Sequence, residues 1–275
     1  MRPFRLLLPF WLVLAVIAAP GASSAQVAVD ISVPVAPPPL PVYAQPAIPA
    51  PGYLWAPGYW AYSRAGYYWV PGTWVRPPAV GLLWTPGYWG WNNGLYLWHA
   101  GYWGPHVGFY GGVNYGFGYV GTGFVGGFWN HGVFNYNRAV TNIRGGVHIA
   151  TYNKTVVVNQ VHVSFNGGPH GINARPTPQE EGFAREAHRG PTPQQGQHEH
   201  AAAGNRAMFA AVNHGRPGIA ATRRPGVFAA HAGHPQPPHG PAQHPQGHAQ
   251  HDPQGHPQHG GPPNSPGDHH DDHHG

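Results

Sequence analysis

The hexapeptide WAPGYW at residues 55–60 opens the part of the chain that decides the fold, because a W-x-P-G-x-W frame then recurs three times. The later copies are WVPGTW at 69–74, WTPGYW at 84–89 and WHAGYW at 98–103, with Ala in place of Pro in the last. Their starts lie 14, 15 and 14 residues apart. Such regularity indicates one small unit copied in tandem, and tandem units stabilise one another by stacking.

The frame resembles the YXWGXW (WXXGXW) repeat family of exported bacterial proteins. Residues 108–116 (GFYGGVNYG) and 166–180 (NGGPHGINARPTPQE) are also similar to segments of long members of that family. The resemblance implies an exported bacterial protein. It brings no biochemical activity with it, so function has to be argued from the residues.

Two chain paths are compatible with the Pro-Gly pair inside each frame. In the first, Pro-Gly forms a type II turn that places Trp55 opposite Trp60 and requires a positive φ at the glycine. This path predicts four turn glycines, which are Gly58, Gly72, Gly87 and Gly101.

In the second path, Pro-Gly only kinks a longer strand, and the chain reverses at 64–66, 77–78 and 92–94. We favour this path, because Asn93-Gly94 is a strong signal for a two-residue hairpin loop, whereas Pro-Gly twists in the wrong sense for one. Both paths give an antiparallel sheet of aromatic repeats.

The frame tryptophans would form a ladder along one side of that sheet, because side chains alternate between its faces. They are Trp55, Trp60, Trp69, Trp74, Trp84, Trp89, Trp98 and Trp103. Exposed rings could stack on the sugar rings of cell-wall or other polysaccharide. Buried rings would instead form the core, covered by other segments or by self-association, and we favour this role because the chain has few other large groups to bury.

The N-terminus predicts export. A basic start and an apolar run at 6–19 precede Ser23 and Ala25, the pattern of a signal peptide cleaved after residue 25. We expect no transmembrane segment after cleavage, and a mature protein in the periplasm, on the outer-membrane surface or outside the cell. The chain has no cysteine, which excludes disulfides, thiol catalysis and thiolate metal sites.

Carboxylates are distributed unevenly, because none occurs between Asp30 and Glu180. The aromatic region therefore lacks the carboxylate pair of a glycoside hydrolase, the oxygen ligands of a hard-cation site and the acid of a serine triad. We expect no enzyme activity and no catalytic residues. The isoelectric point near 9.6 reflects few acids and dispersed bases, so nucleic acid is not an expected partner.

Composition divides the chain into six segments of a mostly β protein. They are a signal peptide (1–25), a Pro-rich linker (26–52), the repeat region (53–104), a Gly/aromatic segment with further strands (105–165), short capped helices with a linker (166–230) and a disordered His-rich tail (231–275). The Gly/aromatic part itself is expected to be a loop packed against the sheet.

Strands and helices are also predicted after the repeats. The strand candidates are 139–143, 147–152 and 155–165, which are rich in β-branched residues. The tetrapeptides TPQE at 177–180 and TPQQ at 192–195 are capping boxes, so short helices are expected near 178–189 and 193–213. These helices could dock on the sheet or lie beyond it.

The His-rich tail offers imidazole and carboxylate groups suited to zinc, nickel or copper. The candidate ligands are His248, His251, His256, His259, His269, His270, His273 and His274. Because the tail has no preformed geometry, such ions would bind weakly, and no cofactor is required.

These observations favour a non-catalytic, exported structural or binding protein of the bacterial cell envelope. The alternative is a transition-metal binding or buffering protein that acts through the tail. A third hypothesis is an assembly protein whose sheets associate edge to edge.

Overall fold

The computed structural model describes residues 31–144, 146–157 and 162–228. The predicted signal peptide and the predicted His-rich tail, with its eight candidate metal ligands, lie outside these residues. Within them the protein is mostly β, with several small sheets and a few short helices, as the sequence predicts.

The strands are β1 (Ser32–Val33), β2 (Leu54–Ala56), β3 (Tyr59–Ser63), β4 (Gly66–Val70), β5 (Gly72–Val75), β6 (Leu83–Thr85), β7 (Tyr88–Asn92), β8 (Leu95–His99), β9 (Tyr102–Gly104), β10 (Asn114–Gly116), β11 (Tyr119–Val120), β12 (Gly127–Asn130), β13 (Val133–Asn137), β14 (Thr151–Tyr152), β15 (Phe165–Asn166) and β16 (Ala221–Thr222). The helices are α1 (Pro178–Phe183), α2 (Pro193–Ala203) and α3 (Ala210–Asn213), with a 3₁₀ turn at Arg206–Met208. Most strand pairs are antiparallel, whereas β14, β15 and β16 join their neighbours in parallel.

The first two frames together form one long hairpin. Strands β3 and β4 pair with Trp60 opposite Trp69, and the chain reverses within 64–66. Beyond the Pro-Gly kinks, β2 and β5 pair with Trp55 opposite Trp74. Each arm of the hairpin is therefore a kinked strand that runs through one frame.

The last two frames repeat this arrangement. Strands β7 and β8 pair with Trp89 opposite Trp98, and β6 and β9 pair with Trp84 opposite Trp103. The reversal at 92–94 places both Asn93 and Gly94 at positive φ, 47° and 90°, as a type I′ hairpin loop requires. The longer-strand path is confirmed at both loops.

The prediction of a reversal at 77–78 is wrong. Strand β5 pairs with β2 and β16, whereas β6 pairs with β9, so Pro77 and Pro78 link two separate hairpins. Two consecutive prolines supply no backbone N–H groups for a ladder, and the chain leaves the first hairpin there.

The frame glycines are not turn glycines, contrary to the first path. None of Gly58, Gly72, Gly87 and Gly101 has a positive φ. They lie where the two arms of each hairpin come closest, so that a Cβ on Gly101 would be 2.8 Å from the amide nitrogen of Gly87 and 2.6 Å from the ring of Trp84. Glycine serves here for close approach under an indole ring, not for conformational freedom.

Residues 31–52, predicted to belong to a linker, pack against the hairpins instead. Strand β1 pairs with β8, so the segment extends the sheet of the second hairpin. The indole of Trp60 donates to the carbonyl of Pro39 at 3.0 Å, and that of Trp74 donates to Pro46 at 2.9 Å. The linker prediction is wrong for these residues. Proline lacks a backbone N–H donor, but its carbonyl still accepts a hydrogen bond, and these carbonyls bind the tryptophans.

The Gly/aromatic segment, expected to be a loop against the sheet, contains two short hairpins and contributes to the core. The hairpins are β10–β11 and β12–β13. The Tyr119 hydroxyl donates to the carbonyl of Trp84 at 2.9 Å and lies 3.3 Å from that of Trp55. One buried side chain thus bridges the first strands of both long hairpins.

The predicted strands after β13 are mostly wrong. No strand forms at 139–143, and of the other two candidates the described residues form only the short β14 and β15. The side chain of Asn137 accepts from the amides of Ala139 and Lys154 at 3.1 and 3.0 Å. Such side-chain bonds satisfy backbone groups that a strand partner would otherwise bind.

Both predicted capping boxes are present, at Thr177 and Thr192, with proline at the start of each helix. Helix α1 ends earlier than expected, and the second helical region is interrupted after α2, where the Asn205 side chain caps the 3₁₀ turn. Helix α2 docks on β4, and its Glu199 accepts hydrogen bonds from the hydroxyls of Tyr59 and Tyr68 at 3.0 and 3.4 Å.

Candidate functional site

The frame tryptophans form the core of the described protein. Seven of them are no more than 6% exposed, and Trp98 is half-buried. Each faces its cross-strand partner at a ring-centroid distance of 5.2 to 5.3 Å and a steep angle, the geometry that aromatic quadrupoles favour. Burial therefore favours the core role of the ladder over stacking on sugar rings.

Four indole N–H groups tie surrounding segments to this core, and a fifth joins the two long hairpins. Besides the two bonds to proline carbonyls, Trp69 donates to Ala220 at 3.0 Å, Trp103 to the side chain of Gln195 at 2.9 Å and Trp89 to the carbonyl of Trp60 at 2.8 Å. The repeats thus position the N-terminal segment, helix α2 and strand β16.

A cleft of about 410 Å³ lies beside the end of the first hairpin. Its floor includes Phe134 and Tyr136 of β13, which are 4% and 2% exposed. Trp129 of β12 and Arg76, directly after β5, line its sides together with 148–150. This volume falls within the roughly 300 to 1,000 Å³ typical of small-molecule sites. We call it the Arg76 cleft.

An aromatic ring and two backbone groups hold the polar groups of the Arg76 cleft in place. The guanidinium carbon of Arg76 lies 4.7 Å from the centroid of the Tyr53 ring, a cation–π contact. The Tyr136 hydroxyl donates to the carbonyl of Tyr53 at 3.0 Å and accepts from the amide of Gly52 at 2.9 Å. Burial raises the pKa of Tyr136 to about 12, and the Gly52 bond and the charge of Arg76 act against that shift. Tyr136 is therefore neutral at ordinary pH.

Carboxylates are scarce around this cleft. The described residues include twelve arginines and lysines but only four glutamates. Within them the one ion pair joins His106 to Glu186, at 2.8 Å, so Arg76 has no carboxylate partner there. The cleft combines an aromatic floor with a positive charge that is available to an anion.

A second cavity, of about 300 Å³, lies between the first hairpin and the segments that cover it. It is mostly apolar and is lined by Leu40, Tyr43, Trp69, Tyr115 and Phe117 among others. The hydroxyl of Tyr43 accepts from the amide of Gly58 at 3.3 Å, and burial raises the pKa of Tyr43 well above its usual range. This cavity has no charged side chain, so it offers less for recognition than the Arg76 cleft.

His198 of α2 is the most deeply buried described histidine. Its Nδ1 accepts from the amide of Gly226 at 2.9 Å, so its Nε2 carries the proton donated to the carbonyl of Pro71 at 2.8 Å. Desolvation lowers the pKa of His198, and the Pro71 bond acts in the opposite direction. The neutral ring holds the segment after β16 against helix α2 through the bond to Gly226.

The other described histidines are spread over the surface. His99 stacks on Tyr88 with centroids 4.5 Å apart, and His106 stacks on Phe183 at 4.3 Å. His148 is exposed and lines the Arg76 cleft. No group of three or more histidine or carboxylate side chains is arranged to hold a metal ion in the described part of the chain.

Sequence reasoning did not single out the Arg76 cleft. Its members include residues of β12 and β13 and of the segments after β5 and before β14, and no motif joins them. The only sequence signal is the long interval without carboxylates, which leaves Arg76 without an acidic neighbour along the chain.

The WXXGXW repeat model matches the chain in two copies, at residues 51–75 and 80–103. Each copy spans two of the four frames and coincides with one long hairpin, so the structural repeat is the pair of frames. The chain thus carries the repeat of the family that it resembles. No curated protein and no solved structure is significantly similar to it. No helix among the described residues is long and apolar enough to cross a membrane.

Proposed function

We propose that this protein is a non-catalytic, exported structural or binding component of the bacterial cell envelope. The main support for the proposal is that the frame tryptophans form a core and bond to the N-terminal segment, helix α2 and Ala220. A packed aromatic core and indole hydrogen bonds stabilise the fold without disulfides, which suits a cysteine-free protein outside the cytoplasm.

The described carboxylates support a non-catalytic role. Glu180 closes the capping box of α1, Glu186 pairs with His106, and Glu199 accepts from two tyrosines of the first hairpin. Each of these three has a structural partner, and Glu181 is exposed in the same helix as Glu180. Residues 31–179, which include the aromatic repeats, contain no carboxylate.

The charge of the described surface supports polysaccharide as a partner. Twelve cationic side chains against four carboxylates favour contact with the anionic polymers of an envelope. The bases are dispersed, so each contact would be weak and the number of contacts would set the affinity.

Fractionation of cells and binding to cell-wall or polysaccharide preparations test this function. We expect the full-length protein in the envelope or medium, with binding that weakens as salt rises because surface charges are screened. A variant that ends at Phe228 should bind equally well, since it retains every described residue. A cytoplasmic protein that binds no envelope polymer would contradict the proposal.

The alternative proposal is transition-metal binding or buffering by the His-rich tail. Its support is the ligand set of the eight tail histidines and the aspartates near them. The variant that ends at Phe228 separates the two functions. Loss of envelope attachment together with loss of metal binding in that variant would favour the metal function.

A further inference from the structure

We infer that the Arg76 cleft binds an acidic saccharide, through a carboxylate on the sugar ring. This inference rests on the proposed envelope function and names the class of ligand for one site. It is carried by three features of the described residues, which are the shape of the cleft, the placement of its one cation and the absence of competing carboxylates.

The shape suits a flat ring with apolar faces. Trp129 lines the cleft, is partly exposed, and packs edge-on against the buried Phe134 with centroids 5.2 Å apart. At the mouth, Val80 and Val133 are 66% and 54% exposed. The C–H faces of a sugar ring carry partial positive charge and pack well on aromatic rings, so Trp129 and the two valines would bury one such ring.

The cation is placed to bind an anion at one side of that ring. The guanidinium carbon of Arg76 lies 4.7 Å from the centroid of the Tyr53 ring, and no carboxylate of the described residues pairs with the guanidinium, so its N–H groups are available to an anion in the cleft. A planar fork matches the two oxygens of a carboxylate in a bidentate pair. His148 lines the same cleft and offers a second hydrogen-bonding group.

No carboxylate of the described residues pairs with the Arg76 guanidinium. The one ion pair of the described residues is between His106 and Glu186, and residues 31–179 contain no carboxylate. A neutral sugar would leave this charge unused. A nucleic acid would need several cations along its backbone, whereas this cleft presents one arginine.

Calorimetric titration of the full-length protein with trigalacturonate tests the inference. The matched ligand is the same trisaccharide with its carboxylates methyl-esterified, because the rings are retained and the charge is removed. We expect binding of the acid and at least about a tenfold weaker affinity for the ester, as loss of a charge-assisted bidentate contact implies. Equal affinity for the two forms would overturn the inference.

Variants locate the site. Arg76→Gln should weaken trigalacturonate binding by about tenfold or more, and Arg76→Lys should restore only part of the affinity because it lacks the fork. Arg64→Gln, in the exposed loop of the same hairpin, is the matched control and should bind as the unmodified protein does. Equal binding by Arg76→Gln and Arg64→Gln, with unchanged melting temperatures, would show that the cleft is not the site.

Two further measurements distinguish the inference from a general anion site and from a failure of the proposed function. Inorganic phosphate that binds as tightly as trigalacturonate and with the same dependence on Arg76 would make the site a general anion site and overturn the saccharide assignment. Absence of trigalacturonate binding by a protein that still attaches to envelope preparations would overturn this inference alone. Failure of envelope attachment would instead contradict the proposed function.

Discussion

Gly58 and Gly72 face each other where the arms of the first hairpin come closest, so that a Cβ on Gly58 would lie 2.8 Å from the amide nitrogen of Gly72. The same Cβ would also overlap the indole ring of Trp69. Each glycine thus makes room for the opposite arm and for the first tryptophan of the partner frame. The second hairpin repeats the relationship between Gly87 and Gly101.

Replacement of a frame glycine should destabilise the fold through overpacking. We expect Gly58→Ala to lower the free energy of unfolding by about 1–3 kcal/mol, because backbone and a buried ring both oppose the added methyl group. Gly218→Ala is the control, since Gly218 has open space around it and no positive φ, and its effect should stay within about 0.5 kcal/mol. Urea unfolding followed by tryptophan fluorescence measures both, and equal effects would refute the close-approach role.

A fully buried and a half-buried tryptophan should differ in their contribution to stability. Trp69 is fully buried and donates to the carbonyl of Ala220, so Trp69→Phe should cost about 2–4 kcal/mol through a cavity and a lost hydrogen bond. Trp98 is half-buried, and Trp98→Phe should cost less than about 1.5 kcal/mol. Thermal melting by circular dichroism gives the order, and the reverse order would contradict the core assignment.

Acid should weaken the fold through His198. Its pKa is lowered by burial in the folded state, so the unfolded chain binds a proton first as pH falls below the ordinary value of 6.5. The stabilisation is therefore present above pH 6.5 and declines as pH falls from 6.5 to the folded pKa, by no more than about 1.4 kcal/mol per pH unit.

His198→Gln tests this source of pH dependence, because glutamine can keep both hydrogen bonds without titrating. Urea unfolding at pH 7.5 and 5.5 should show a smaller pH effect in His198→Gln than in the unmodified protein. His200→Gln, an exposed position on the same helix, should leave the pH effect unchanged. An undiminished effect in His198→Gln would assign the acid sensitivity to other groups.

Metal binding should belong to the tail and should leave the fold unchanged. We expect zinc and nickel to bind the full-length protein more weakly at pH 5.5 than at pH 7.5, because protons compete for imidazole nitrogen. The variant that ends at Phe228 should bind neither ion and should melt at the same temperature. The cut follows Phe228 because that ring stacks on His198 with centroids 5.2 Å apart. Undiminished binding by the truncated form would place the metal site among the described histidines.

Local signals in the sequence predicted several elements correctly. The Asn93-Gly94 loop and the two capping boxes are present because each depends on φ angles and hydrogen bonds within a few residues. The wrong predictions concern groups that act at a distance. Proline carbonyls of 31–52 accept bonds from tryptophans about 20 to 30 residues away. In the strand candidate 139–143, the amide of Ala139 donates to the side chain of Asn137 and not to a neighbouring strand.

By itself, the sequence determined the repeat, the mostly β architecture and the reversals at 64–66 and 92–94, because the tryptophan spacing and the turn residues restrict the chain locally. Only the tertiary structure decided that the tryptophans are buried, that the frame glycines serve close approach and that Arg76 meets an aromatic cleft. The reason is that burial depends on what covers a side chain. Here the covering segments are distant along the chain, as in the bond between Trp69 and Ala220, which are 151 residues apart.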